Sequence, residues 1–248
     1  MPYAAVLFDL FDTLVRFDRE RLPRLDVRGQ TVHSSAGRLH AILKSEAPGV
    51  SLEACYDALI ESWQEAERRR AIDHREVSAP ERFEHFFRCL ALDPGSCAQG
   101  LAERLIEAHR TELAKAAEFP PHHGPLLEAL ARRYPLAVVS NFDYTPTALG
   151  ILESAGVVEL FTAIVVSDRV GWRKPRREIF DEALRCLGVE AAGALFVGDR
   201  PEIDVAGAQS AGIDAAWLNP GREPLPPAMA PPRFEIRDLR ELLDILNP

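Results

Sequence analysis

The chain has 248 residues, of which 47% are hydrophobic, so it is long enough for one large domain or two modest domains with separate cores. Its net charge of −9 argues against a nucleic-acid partner, because such proteins normally carry a basic surface that neutralises phosphates. The four cysteines show no C-x-x-C spacing, and no apolar run approaches the ~20 residues of a membrane-spanning helix, so we expect a cytoplasmic protein without a zinc knuckle or a membrane partner.

The first predicted element is the apolar run Ala4–Phe8, which ends in Asp9. A short continuous apolar run is typical of a strand that is buried on both faces, as in a parallel sheet. Runs of this kind do not return until Leu136.

The block of residues 18–117 is predicted to be helical, because its apolar residues recur with helical spacing. One of these helices opens with Ser78 and Glu81, the signature of a capping box. Nothing strand-like is expected among the helices. The sequence therefore predicts an all-α helical-bundle domain at 18–117, inserted into a core that residues 1–17 and 118–248 form.

The C-terminal half alternates apolar runs with helical segments. The runs lie at 136–139, 163–166, 194–197 and 215–218, with a last short strand at 234–236. Strands separated by single helices give a parallel, doubly wound sheet, so the predicted fold class is α/β.

The ends of the intervening helices carry their own signals. Three helices are expected to end at Gly156, Gly188 and Gly212, since glycine adopts the left-handed conformation that closes a helix. Thr145 is expected to cap a helix whose first turn contains Pro146.

Polar side chains with chemical uses follow the predicted strands. They are Asp9, Ser140, Asn141, Lys174, Asp199 and Asp204. Ligands of open α/β sheets bind beyond the carboxyl ends of the strands, so we expect these residues to surround one site. A carboxylate can attack phosphorus, Mg²⁺ takes oxygen ligands and binds phosphate, and lysine balances phosphate charge. Asp204 taken singly would be a first-turn helix charge, so the prediction of phosphoryl transfer depends on the combination.

These positions resemble the motifs of the haloacid dehalogenase superfamily of hydrolases. Asp9–Thr13 resembles its first motif, in which an aspartate nucleophile is followed four residues later by threonine. Ser140 resembles the second motif, Lys174 the third, and Asp199 with Asp204 the fourth. The resemblance covers the whole chain and implies a Rossmann-like parallel sheet with a helical cap domain inserted after the first motif.

The resemblance also implies a function and roles for the residues. It implies a Mg²⁺-dependent phosphatase that acts on a small phosphorylated metabolite, with Asp9 as the nucleophile. Ser140 and Asn141 would hold the phosphate, and Lys174 would stabilise charge. The implied metal ligands are Asp9, the backbone carbonyl of Phe11, Asp199 and Asp204, the last as a ligand or as a support of the metal site.

Phe11 departs from the family's phosphatase pattern, in which a second aspartate at this position protonates the leaving oxygen and later activates water. Such a general acid–base is typically worth roughly 10² to 10⁴ in rate. The family's metal-free haloacid dehalogenases carry an aromatic residue here, tyrosine, so a metal-independent 2-haloacid dehalogenase is the alternative. In their fourth motif, those dehalogenases carry Ser-Asn where this chain has Gly198-Asp199. This difference favours the phosphatase.

Two non-enzymatic alternatives stay open. A catalytically weak member of the family could bind a ligand or a partner without turnover, and Phe11 is the best support for it. A signalling receiver domain also places acids and a lysine on a doubly wound sheet, but it is usually much shorter and lacks a large insertion. The sequence does not decide between a monomer and a homodimer.

Overall fold

The computed structural model of the protein describes residues 3–93 and 99–246. The chain divides into two compact units. The first contains Met1–Arg16 and Phe119–Pro248, and the second contains Phe17–Glu118.

The described residues form ten strands and ten α-helices. The strands are β1 (Ala5–Phe8), β2 (Arg16–Phe17), β3 (Arg24–Val27), β4 (Gln30–His33), β5 (Ala117–Glu118), β6 (Leu136–Ser140), β7 (Ala163–Val166), β8 (Ala194–Gly198), β9 (Asp214–Leu218) and β10 (Phe234–Ile236). The helices are α1 (Ala36–Glu46), α2 (Leu52–Asp73), α3 (Ala79–Cys89), α4 (Leu101–Ala116), α5 (His123–Ala131), α6 (Thr145–Ser154), α7 (Ser167–Val170), α8 (Arg177–Leu187), α9 (Ala206–Ser210) and α10 (Leu242–Leu246). None of the helices in these described ranges is both long enough and apolar enough to cross a membrane.

The first unit is built on a six-stranded sheet in the order β10-β9-β8-β1-β6-β7. All neighbouring strands are parallel, and β1 lies between β6 and β8, with Val6 opposite both Leu136 and Leu195. Helices separate the consecutive strands of this sheet up to β9, and a stretch without helix leads from β9 to β10. The predicted α/β fold with a parallel, doubly wound sheet is confirmed.

The three central strands are buried along their whole length, which accounts for their continuous apolar sequence. Helix α8 packs against this sheet through Ile179 and Phe180, which belong to the same buried cluster as Phe196 and Trp217. The rings of Phe180 and Phe196 meet edge to face, with centroids 5.2 Å apart. Each such side chain contributes roughly 1.5–3 kcal/mol when it is fully buried. This packing of α8 therefore stabilises the sheet whose strand ends carry the polar residues.

The helix ends of the first unit follow the sequence prediction in part. Gly156, Gly188 and Gly212 have φ values of 69°, 66° and 82°, so all three adopt the predicted left-handed conformation. The prediction that Thr145 caps α6 is wrong, because Thr145 is the first residue inside that helix. Its backbone amide donates to Asp168 Oδ2 at 2.8 Å, so a residue from another segment supplies the cap.

The second unit contains helices α1–α4, and its apolar interior includes Phe83, Phe86 and Phe87, which are fully buried. Ring centroids lie 5.3 Å apart between Phe83 and Phe86 and 5.9 Å apart between Phe86 and Phe87. The predicted capping box at the start of α3 is present, since Glu81 Oε2 accepts from the Ser78 amide at 3.1 Å.

The prediction that residues 18–117 are all-α is wrong, because a β-hairpin precedes the first helix. Strands β3 and β4 pair antiparallel, with Val27 opposite Gln30. Arg28 and Gly29 between them both have positive φ, 54° and 75°, as a two-residue hairpin turn requires. Asp26 Oδ1 accepts from the Gly29 amide at 2.9 Å and stabilises the turn. The glycine within an alternating polar stretch was the available signal.

Candidate active site

Three neighbouring strands bring polar residues to one edge of the sheet. Asp9 follows β1, Ser140 ends β6, and Asp199 follows β8, which is parallel to the other two. The Asp9 amide donates to the carbonyl of Val197 at 2.9 Å, which extends the β1–β8 ladder by one residue. The backbone that carries Asp9 is therefore held as firmly as the strand itself.

Three carboxylates meet at this edge. Asp9, Asp199 and Asp204 each offer an oxygen, and these oxygens lie within 4.8 Å of one another. Asp9 is 7% exposed and Asp204 is 1% exposed. Like charges this close repel each other, more strongly in a buried place than in water, so the cluster requires positive charge nearby.

Asp204 reaches the cluster from a single π-helical turn, Pro201–Val205, that continues into α9. Its Oδ2 accepts from the Arg200 amide at 3.0 Å. A Cβ atom at Gly198 would lie 2.5 Å from Asp204 Cγ, so the last residue of β8 must be glycine for Asp204 to approach. Single π turns inside helices often occur at functional sites.

Lys174 supplies the buried positive charge. Its Nζ lies 2.5 Å from Asp9 Oδ1 and 2.8 Å from Asp204 Oδ1, and its side chain is 1% exposed. Burial alone would lower the pKa of Lys174, but the charges of Asp204 and Asp9 raise it above its ordinary value. The ammonium group therefore stays charged at neutral pH.

The acids of the cluster are hard to ionise without further positive charge. Burial raises the pKa of Asp9 to about 6, because Lys174 offsets the lost hydration only in part and Asp204 adds repulsion. Burial and the charges of Asp9 and Asp204 raise the pKa of Asp199 to about 7. Both shifts favour a site that receives a cation.

Ser140 and Asn141 are adjacent but use their side chains differently. Ser140 is fully buried, and its Oγ has no hydrogen-bond partner among the described residues. The Asn141 side chain donates through Nδ2 to the Lys174 carbonyl at 2.9 Å and accepts through Oδ1 from the Lys174 amide at 2.7 Å. Asn141 thus holds the backbone of Lys174, whereas the Ser140 hydroxyl can donate to a ligand.

Phe11 lies in the turn that follows β1, and its ring packs against Phe142 with centroids 4.8 Å apart. Asp12 is exposed and has a φ of 61°, and its amide donates to the Val15 carbonyl at 2.6 Å. Asp12 is therefore a turn residue. The position two residues after Asp9 contributes an aromatic surface and no acid.

Trp217 supports the site although the sequence analysis did not single it out. Its Nε1 donates to the Asp199 carbonyl at 2.9 Å, and it is 3% exposed. Trp217 stands opposite Gly198 in the β8–β9 register, which explains why it reaches the residue after β8. The available signal was a tryptophan in a buried strand, because its indole N–H needs an acceptor.

The donor set fits a hard divalent cation. The three carboxylates are oxygen ligands of the kind that Mg²⁺ prefers, and Lys174 balances only one of their charges. Asp199 Oδ1 is buried and has no hydrogen-bond partner within residues 3–93 and 99–246. A buried acceptor without a hydrogen-bond partner destabilises the fold by roughly 1–3 kcal/mol, and a bound cation would offset this loss. Asp9, Asp199 and Asp204 could hold the ion, and a contribution from the Phe11 carbonyl stays a prediction.

Comparison with known proteins gives a family. Residues 3–212 match the family model of the haloacid dehalogenase-like hydrolases. The chain is 34% identical over 152 residues to a phosphoserine phosphatase from Thermus thermophilus, a match that spans 61% of this chain and 60%, less than two thirds, of that enzyme. It is 27% identical to a glyceraldehyde 3-phosphate phosphatase from Methanopyrus kandleri, over 98% of this chain and 97% of that enzyme.

A solved structure adds a different chemistry to the comparison. The 2-haloacid dehalogenase from Pseudomonas syringae pv. Tomato DC3000 is 27% identical to this chain and superposes with a TM-score of 0.76, covering 99% of this chain and 98% of that one. This chain is thus similar both to phosphatases and to a dehalogenase, and the chemistry of its site must distinguish the two reactions.

Proposed function

Because this chain belongs to the haloacid dehalogenase-like hydrolases, we propose that it is a Mg²⁺-dependent phosphatase acting on a small phosphorylated metabolite through an aspartyl-phosphate intermediate on Asp9. The observation that carries the proposal is the cluster of Asp9, Asp199 and Asp204, in which Lys174 contacts Asp9 and Asp204. Without a cation, this cluster would repel an anionic substrate. With a cation, it becomes a place where phosphate binds next to a nucleophile.

Asp9 performs the covalent step in this proposal. One of its carboxylate oxygens attacks phosphorus and forms a new oxygen–phosphorus bond, while the ester oxygen leaves with the electrons of the broken bond. A pKa of about 6 keeps most of the Asp9 carboxyl groups ionised at neutral pH, which is the nucleophilic form. Lys174 fixes the orientation of the carboxylate through its contact with Oδ1.

Ser140 and Lys174 stabilise the phosphoryl group during transfer. The buried Ser140 hydroxyl has a hydrogen to donate to a phosphoryl oxygen, and Lys174 contributes its charge beside the Asp9 carboxylate. Phosphoryl transfer depends mainly on such positioning and charge stabilisation. Mg²⁺ held by Asp9, Asp199 and Asp204 would neutralise the phosphate oxygens and orient them.

Hydrolysis of the intermediate restores the enzyme. Water attacks phosphorus, the bond between phosphorus and the Asp9 oxygen breaks, and inorganic phosphate leaves with Asp9 as a free carboxylate. Phe11 has no proton to give to the leaving oxygen in the first step and accepts none from water in the second. The proposal therefore favours substrates whose leaving groups need little protonation.

A second candidate is a metal-independent 2-haloacid dehalogenase. The aromatic pair of Phe11 and Phe142 favours it, as does the similarity to the dehalogenase from Pseudomonas syringae. A catalytically weak relative that binds a ligand or a partner would show the same aromatic pair. Without a metal, Asp9, Asp199 and Asp204 would place three carboxylates in an anion-binding site with Lys174 as the counter-charge, and for this reason we favour the phosphatase.

The test is a substrate panel with and without metal. Purified protein is incubated with many phosphate esters in Mg²⁺, with the same esters in chelator, and with 2-haloacids in both conditions. We expect phosphate release only with Mg²⁺. Halide release, or phosphate release at full rate in chelator, would contradict the proposal.

The covalent step is tested with Asp9→Asn, which keeps the shape of the side chain and removes the nucleophile. We expect no turnover by this variant. In the wild type, rapid quenching with labelled substrate should place the label on the peptide that contains Asp9. Undiminished turnover by Asp9→Asn would show that another group or water attacks directly.

A further inference from the structure

Ser167 and Asp168, to which the proposed reaction gives no role, connect the turn after β6 with the segment after β7. These strands are parallel neighbours, and Ser140 stands opposite Val166 at their carboxyl ends. The residues that follow each strand therefore run side by side. Ser167 and Asp168, which open α7, lie next to the turn that leads from Ser140 into α6.

The Ser167 hydroxyl binds both the amide and the carbonyl of Phe142. Its Oγ accepts from the Phe142 amide at 2.9 Å and donates to the Phe142 carbonyl at 3.1 Å. Ser167 is fully buried, so water does not compete for these bonds. The backbone of Phe142, and with it the ring that packs on Phe11, is tied to the end of β7.

Asp168 makes a second pair of bonds to the same turn. One carboxylate oxygen accepts from the Thr145 amide at 2.8 Å, and the other accepts from the Thr145 hydroxyl. Tyr144, which precedes α6, makes no side-chain cap of its own. Asp168 therefore fixes where α6 begins, and this sets where the turn after Ser140 must end.

We propose that Ser167 and Asp168 are positioning residues that hold the turn after Ser140 against the segment leading to Lys174. The reciprocal bonds between Asn141 and the Lys174 backbone are the third link of the same kind. Together, the three links keep the Ser140 hydroxyl and the Lys174 ammonium group at a constant separation. The consequence for turnover rests on the proposed phosphatase function, whereas the links themselves do not.

The variants separate the loss of the links from a change in volume. Ser167→Ala removes both bonds to Phe142 and only one oxygen atom. Asp168→Ala removes both bonds to Thr145. Asp168→Asn should rescue the position, because its oxygen accepts from the Thr145 amide and its nitrogen donates to the Thr145 hydroxyl.

Tyr134→Phe is the matched control. The Tyr134 hydroxyl donates to the Leu246 carbonyl at 2.8 Å in a buried place before the amino end of β6, so its loss also removes a buried side-chain bond to backbone. We expect kcat on p-nitrophenyl phosphate to fall by ~10-fold or more in Ser167→Ala and Asp168→Ala, since a misplacement of ~1 Å can cost ~10²-fold. KM should change less, and Asp168→Asn and Tyr134→Phe should keep kcat close to that of the wild type.

Hydrogen exchange gives a readout that does not need turnover. The amides of Phe142 and Thr145 should exchange faster in the two alanine variants than in the wild type or Tyr134→Phe, with no change in the central strands. If wild-type protein releases no phosphate, the proposed function fails, but exchange still decides the positioning claim. Unchanged protection of both amides, or a fall in kcat that Tyr134→Phe shows equally, would overturn it.

Discussion

Replacing Phe11 by aspartate tests the most unusual feature of the site. Phe11 stands two residues after Asp9, the proposed nucleophile, where phosphatases of the family usually carry an acid, and its ring packs on Phe142. We expect Phe11→Asp to increase turnover of alkyl phosphates, because their leaving oxygen must be protonated. The increase should approach ~10²-fold if the new carboxyl group reaches that oxygen.

The structure sets the size of the folding free energy that is lost with the Phe11 ring. A tilted aromatic pair such as Phe11 with Phe142 contributes about 0.5–1.5 kcal/mol beyond its buried area. Phe11 is only half-buried, so removing its ring also loses a part of the ~1.5–3 kcal/mol that a fully buried side chain contributes. The variant should stay folded, since folding free energies are about 5–15 kcal/mol. The expected gain corresponds to ~2.7 kcal/mol of activation free energy, and the loss of folding free energy does not offset it as long as the variant stays folded.

Phe11→Asn separates the two effects. It removes the same ring and has nearly the same shape as Phe11→Asp, but it cannot donate and recover a proton. Initial rates are measured with Mg²⁺ on an alkyl phosphate such as glycerol phosphate and on p-nitrophenyl phosphate, whose leaving group needs little protonation. The ratio of the aspartate to the asparagine variant should be large for the alkyl ester and close to one for the aryl ester.

The wild type should show the complementary behaviour, hydrolysing aryl or acyl phosphates much faster than simple alkyl phosphates. Equal rates for Phe11→Asp and Phe11→Asn on every ester would refute the reasoning that Phe11 marks a missing acid. Halide release from a 2-haloacid by the wild type, with no phosphate released from any ester, would instead establish the dehalogenase.

Three further predictions concern the metal site and stability. Gly198→Ala should cost about 1–3 kcal/mol of stability, because its Cβ would overlap Asp204, whereas Gly150→Ala, with open space around it, should cost nothing; thermal unfolding distinguishes them. Mg²⁺ at ~100 times its Kd should stabilise the wild type by ~2.7 kcal/mol in thermal unfolding, and Asp199→Asn should lose most of this effect. Burial and two neighbouring arginines hold the pKa of His109 well below its usual range, so below pH ~6.5 the unfolded chain binds a proton that the folded chain does not. Stability should therefore fall as pH decreases, and urea unfolding of His109→Gln should show a shallower fall, by up to ~1.4 kcal/mol per pH unit.

Local patterns in the sequence were sufficient for most of the core. The continuous apolar runs of β1, β6 and β8 indicate strands that are covered on both faces, and the structure buries all of their residues. Parallel strands present their carboxyl ends at one edge, so the approach of Asp9, Ser140 and Asp199 could be expected from their positions after the strands. The hairpin of β3 and β4 was missed because short polar strands lack an apolar run, although Gly29 signals their turn.

The support of the site was decided by tertiary structure alone. The Asn141 side chain is bound to Lys174, 33 positions away, Asp168 caps a helix that starts 23 positions before it, and Trp217 holds the backbone 18 positions before it. The pKa of Asp9 likewise depends on tertiary structure, because burial raises it, Lys174 from another segment lowers it, and Asp204 from a third segment raises it. A local pattern tells whether a segment is a strand or a helix, because that depends on periodicity within it. Which side chain finds which partner depends on the order of the strands and their register, and no single segment contains that information.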